Sequence, residues 1–138
     1  MTTYESELKT ISSSGEMVFN ILSDLNNLQK LASNPTFAEK AKDMRCDTDS
    51  CSFAVDGFGR VGFRIMERSP FTKIVMASEN APVSFHIDVE IGHVTENEST
   101  IKLIMNAEIP AMIKMMVGSK LQDGVNSIAE LLAKSLTK

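Results

Sequence analysis

Few residues in this chain are equipped for chemistry, and their spacing decides what to expect of them. His86 and His93 stand seven residues apart, and Cys46 and Cys51 are separated by DTDS. Neither pair has the spacing of a zinc ligand set or of a C-x-x-C redox motif. His86 falls on the wet side of an alternating segment and His93 near its end, with no evident nucleophile or carboxylate beside either. Asp56, Glu67 and Glu108 would serve as acid or base only if bends turned them inward. There is no Gly-rich phosphate loop and no G-x-S-x-G elbow. No catalytic residue, metal site or cofactor is therefore expected. The two cysteines could face each other across a hairpin, but without an export signal they read as two reduced core thiols.

Methionine is the chemistry the chain has in excess, nine residues in 138. Met112, Met115 and Met116 cluster, while Met76 and Met105 take inward strand positions. Thioether side chains are unbranched and polarizable, so they suit an adaptable apolar pocket, although they also fill gaps in an ordinary core.

The elements that must position these side chains are legible from periodicity. Residues 3–11 read as a first strand, with Tyr4, Ser6 and Thr10 as polar groups on its inward side. Ser13 with Glu16 suggests a capping box for a helix over residues 14–23, and a second short helix through Leu25, Leu28 and Leu31 stops at Ser33-Asn34-Pro35. A run of strands follows to Ile109. Its clearest alternation sets Val83, Phe85, Ile87, Val89 and Ile91 against Ser84, His86, Asp88 and Glu90. Ile101, Leu103, Met105 and Ala107 repeat the pattern one strand later.

Pro110 to Lys138 then reads as one long helix, with Ile113, Val117, Leu121, Val125, Ile128 and Leu132 as its apolar stripe. At 1.5 Å per residue it is about 40 Å long, matching the long strands it must cover. A one-sided antiparallel meander needs such a cover. Gly124 in the stripe implies close approach to the sheet or room for a ligand, and Gly118 lies nearer the other side. Ile104 and Val75 interrupt the wet face.

Length fits one domain, residues 1–138. Net charge is −4 with both signs interspersed, which argues against nucleic acid or an anionic membrane as partner. No window is apolar enough for membrane insertion and the first residues lack a leader pattern, so a cytoplasmic location is expected.

The order of elements, with the segments SSSGEMVFNILSD, PVSFHIDVEIG and STIKLIMNAEI, resembles the START-like (SRPBCC, polyketide cyclase/Bet v 1-like) superfamily. More narrowly, SDLNNLQKL and KDMRCDTDSCSFAVDGFGRV are similar to small single-domain members found in Bacteroides-type bacteria. The resemblance implies an α+β helix-grip fold: strand, two short helices, six-strand antiparallel meander and long C-terminal helix. It also implies a small apolar or amphipathic ligand held between sheet and helix, in a connected cavity of about 300 Å³ or more. Phe53, Phe63, Met76, Phe85, Met105, Met112 and Met116 would line that space, its mouth being the methionine-rich start of the helix. The alternatives the fold admits are a polyketide cyclase/dehydrase-type enzyme and an interaction module with a solid core. A homodimer is left open.

Overall fold

A computed structural model describes residues 2–29, 42–55, 59–81 and 84–136, apart from the side chains of Val55 and Val117. Leu31, the expected stop at Ser33-Asn34-Pro35, the turn residues 56–58 and Val83 lie outside these residues. The N-terminal part runs β1 (Thr2–Glu5), β2 (Lys9–Ile11), α1 (Gly15–Leu22) and α2 (Asn26–Gln29). A meander follows, β3 (Lys42–Cys46), β4 (Ser50–Val55), β5 (Gly59–Ser69), β6 (Lys73–Glu79), β7 (Ser84–Thr95) and β8 (Glu98–Glu108), and α3 (Ala111–Leu136) closes it. Consecutive strands from β3 to β8 pair antiparallel, and β1 and β2 both add to β8. This is the α+β helix grip, with α3 packed most closely on β8, β2 and β1.

The long strands alternate as their sequences dictate. Phe85, Val89 and Ile91 are buried while His86 and Glu90 are exposed, and Ile101, Leu103 and Ala107 are buried on the neighbouring strand. Bulges bend the sheet. The register slips between Ile65 and Glu67 and between His93 and Thr95, and each slip leaves an apolar residue, Met66 or Val94, in solvent.

A further slip overturns the reading of residues 3–11 as one strand. Glu5 pairs with Ile104 but Lys9 with Ile101, so four steps on one side match three on the other. The extra residue reverses the parity of everything after it. Tyr4 and Ser6 are buried as expected, Ile11 is buried, and Thr10 faces solvent, contrary to its expected inward position. The interrupted backbone is still satisfied. Ser6 N donates to Leu103 O at 2.8 Å, and Leu103 N donates to Ser6 Oγ at 2.9 Å. Around the bulge, Gln122 Nε2 on α3 donates to Glu5 O and Glu7 N donates to Asn126 Oδ1, which pins the helix to this edge.

The expected capping box is displaced by one residue. Ser14 is the N-cap of α1, accepting from Met17 N at 3.1 Å. Ser13 instead ties two distant parts of the chain together. Its Oγ donates to Leu136 O at 2.6 Å, while its own carbonyl accepts from Ser99 Oγ at 2.8 Å. One of the carbonyls left without an intrahelical partner at the end of α3 is thereby satisfied inside the core.

The reduced-thiol reading of the cysteines is also corrected. Cys46 and Cys51 form a disulfide. Asp47 N donates to Ser50 O across the four-residue turn, so the flanking cysteines fall at the close, non-hydrogen-bonded position of the hairpin, with Cα atoms 4.1 Å apart. No helix among the described residues is long and apolar enough to cross a membrane.

Candidate functional site

The register builds the concave face as rows of side chains. One row runs straight across five strands, Ile65, Met76, Ile87, Met105 and Tyr4. On the side of this row toward α1 lie Ile74, Val89 and Leu103, then Ile91 and Ile101, all buried. They pack with Val18, Phe19 and Leu22 of α1 and with Val125, Ala129, Leu132 and Leu136 of α3. Ile128, assigned to the stripe, is 41% exposed and Ala129 is fully buried in its place. The small side chain lets the helix approach the sheet, and a hydropathy pattern gives it no weight.

This end is closed by polar ties as well as apolar contact. Arg68 donates to Ser23 O, Thr48 O and Asp49 Oδ1, joining the end of α1 to the β3–β4 hairpin. Phe71, held at a positive φ of 63° in the β5–β6 turn, sets its ring edge-on to Phe19 at 5.5 Å.

On the other side of the row lie Phe53 and Phe63. They are partly buried, as are Ile87 and Met105 in the row and Ile113 and Leu121 of α3, and Phe63, Ile87, Met105 and Leu121 still pack against the core. Phe53 and Phe63 meet edge to face at 6.2 Å. Met76 and Phe85, which the sequence also assigned to the ligand space, are buried, and Phe85 N donates to Ser78 Oγ. Met112 and Met116 are 77% and 71% exposed, so neither is enclosed between sheet and helix. Met115 accompanies them on the exposed side.

Of the two readings of Gly124, close approach to the sheet and open room beside the helix, the structure has the second, and the close approach falls at Gly118 instead. A Cβ built on Gly124 meets nothing within 4 Å, so no close approach occurs there. One built on Gly118 would sit 3.4 Å from the hydroxyl of Tyr4. That hydroxyl is buried and has no hydrogen-bond partner among the described residues, a state costing about 1–3 kcal/mol.

The ionisable groups lie elsewhere. His86 is exposed, and His93 Nε2 contacts Phe71 O at 2.5 Å. Glu67 is exposed and accepts from Ser69 Oγ, Glu108 is exposed, and Asp56 lies outside the described residues. Resolved pKa shifts fall on surface groups. Hydrogen bonds from Ser50 and Asp49 hold the Asp47 carboxyl below its ordinary range, Lys134 lowers Glu130, and Glu79 raises Arg64. Among the described residues no cluster of His, Cys, Asp or Glu could hold a metal ion. Ile104 and Val75 are separated by Asp88 and flanked by the Lys73–Asp88 and Lys102–Glu5 ion pairs, so they form no patch of their own.

Among the described residues the two best-formed hollows open on the surface. One, of about 580 Å³, lies between Ser14 and Gly15 of α1 and the Phe71, His93 and Thr95 side. The other, of about 290 Å³, lies beside Thr10, Glu130 and Ala133. Neither opens between the concave face and the first turns of α3.

The architecture is that of the START-like, Bet v 1-like fold. XoxI from Bacillus cereus superposes with a TM-score of 0.68 at 16% identity, covering 99% of this chain and 96% of its own. A START superfamily protein from Mycobacterium smegmatis gives 0.66 at 12% identity, over 97% and 96%. Norcoclaurine synthase from Thalictrum flavum, solved in complex with dopamine and hydroxybenzaldehyde, gives 0.73 at 9% identity, over 96% and 86%. No family model matches the chain, and no curated protein is significantly similar in sequence. At these identities the likeness defines the fold alone.

Proposed function

We propose that this protein binds a small apolar or amphipathic molecule between the concave face of the sheet and α3, without performing chemistry on it. The observation that carries this reading is the partial exposure of inward apolar side chains, Phe53, Phe63, Ile87 and Met105, together with the partly buried Ile113 and Leu121 of α3. Apolar groups on the inner face of a grip are ordinarily sealed, and leaving several reachable at one place is the usual sign of a binding surface. Met76 and Phe85 form the floor of the site, and Met112 and Met116 its outer rim, where flexible thioethers adapt to occupants of different shape.

Native mass spectrometry of the protein purified from its own host tests the reading. A reproducible adduct is expected, released on denaturation and absent from Met105→Trp, whose indole fills the space while circular dichroism remains unchanged. A bare-chain mass in both proteins, with no shift in melting temperature on adding apolar probes, would sink it.

A further inference from the structure

The turn that carries the disulfide is closed without it. Asp47 N donates to Ser50 O, and Asp47 Oδ1 accepts from Asp49 N, Ser50 N and Ser50 Oγ. Thr48 O accepts from Leu25 N and from Arg68, and Asp49 O accepts from Ile65 N. Cys46 and Cys51 are five residues apart, and a cross-link over so short a loop restricts the unfolded chain least. The fold therefore has little need of the bond as a staple.

The two sulfurs are not equivalent. Cys51 is 3% exposed, and its Sγ lies 3.8 Å from Leu25 O, within reach of a thiol donor although a disulfide sulfur has no proton to give. Cys46 is only partly buried and stands on β3, at the edge of the sheet. Two outward backbone groups of β3 are held by one side chain of α2: Gln29 Nε2 donates to Met44 O at 2.6 Å, and Cys46 N donates to Gln29 Oε1 at 2.8 Å.

We propose that Cys46–Cys51 is a thiol–disulfide exchange site for dithiol reductants, and that its state sets the grip of α2 on the edge of β3. A reductant thiolate attacks Cys46 Sγ, the more accessible sulfur, and the S–S bond breaks with its electron pair leaving on Cys51. Cys51 takes up a proton and its S–H donates to Leu25 O. The second thiolate of the reductant then attacks the mixed disulfide and expels Cys46, which is protonated in turn, while the reductant departs as its own disulfide. Two electrons and two protons pass from the dithiol to the protein. Sulfurs that no longer share a bond must part to van der Waals contact. Cys51 is fixed by the core and by Leu25, so Cys46 moves, and Cys46 N carries the movement to Gln29.

The test is reduction of the full chain with dithiothreitol in the absence of denaturant, followed by NMR of the labelled amides and by mass spectrometry after alkylation. Two alkylated cysteines are expected in a protein that stays folded, with shifts concentrated at the Cys46 amide, the Gln29 side-chain amide and Leu25. The starting spectrum should return on adding oxidised dithiothreitol. With oxidised glutathione, Cys51→Ala should form a mixed disulfide at Cys46 at least about tenfold faster than Cys46→Ala forms one at Cys51. A disulfide that resists reduction until the chain unfolds, collapse of the spectrum on reduction, an unmoved Gln29, or equal rates in the two variants would each overturn the proposal. Reduction of the native protein needs no substitution, so it decides the matter even where an alanine variant loses its fold.

Discussion

The two ends of the sheet–helix interface are made from similar residue types and reach opposite outcomes. Toward α1, Leu103, Leu132 and Leu136 are buried and the serines around them are bonded to backbone. Toward the start of α3, Phe63, Ile87 and Met105 stay partly exposed and the Tyr4 hydroxyl has no partner among the described residues. The difference does not lie in hydrophobicity, since both ends are apolar. It lies in what covers the sheet. At one end α1 and an alanine-bearing face of α3 complete the packing, and at the other the helix presents Gly118 inward and its methionines outward.

If the ends differ in this way, truncation should separate them. Leu132→Ala in the closed end should cost about 2–5 kcal/mol of unfolding free energy in urea, whereas Met105→Ala, already partly exposed, should cost about 1–2 kcal/mol. Equal losses would mean that both ends are core. A smaller effect, of opposite sign, is expected at Gly124: with open space beside it, Gly124→Ala should stabilise the protein by about 0.5–1 kcal/mol through helix propensity alone. A loss instead would reveal a contact that this helix face does not display. The smallest effect is the response of the β3–β4 turn to acid. Asp47 accepts from Asp49 N at 2.9 Å and from Ser50 N at 2.8 Å, and its carboxyl is held below 3.8. A lowered folded-state value contributes stability present above pH 3.8 and lost as pH falls through that lower value. Amide shifts of Asp49 and Ser50 should report this titration, and Asp47→Asn should abolish it.

How much of this was legible in the sequence follows from which forces act locally. Period-two alternation in Phe85 to Ile91 and in Ile101 to Ala107 reveals the sheet and its inner face, because side-chain direction in a strand is fixed residue by residue. A single inserted residue defeats the same rule, and nothing in the segment ESEL announces the bulge that turns Thr10 outward. The shift of the cap from Ser13 to Ser14 is hidden because three consecutive serines can each cap a helix. Only the distant Leu136 carbonyl decides which of them is needed elsewhere. The cysteines mislead when compartment is weighed above hairpin geometry. Of the residues assigned to the ligand space, the strand positions come together on one face, while Met112 and Met116 depend on the rotation of α3, which Ala129 and Ala133 set by packing rather than by hydropathy.

The bond from Ser99 to Ser13 spans 86 residues of chain. During synthesis at about 5–20 residues per second, β1, β2 and α1 leave the ribosome roughly 4–17 s before the strand that receives them exists. The N-terminal strands must wait, unpaired, until β8 emerges to complete the sheet. Slowed translation between residues 11 and 99 would lengthen this interval without altering the finished molecule.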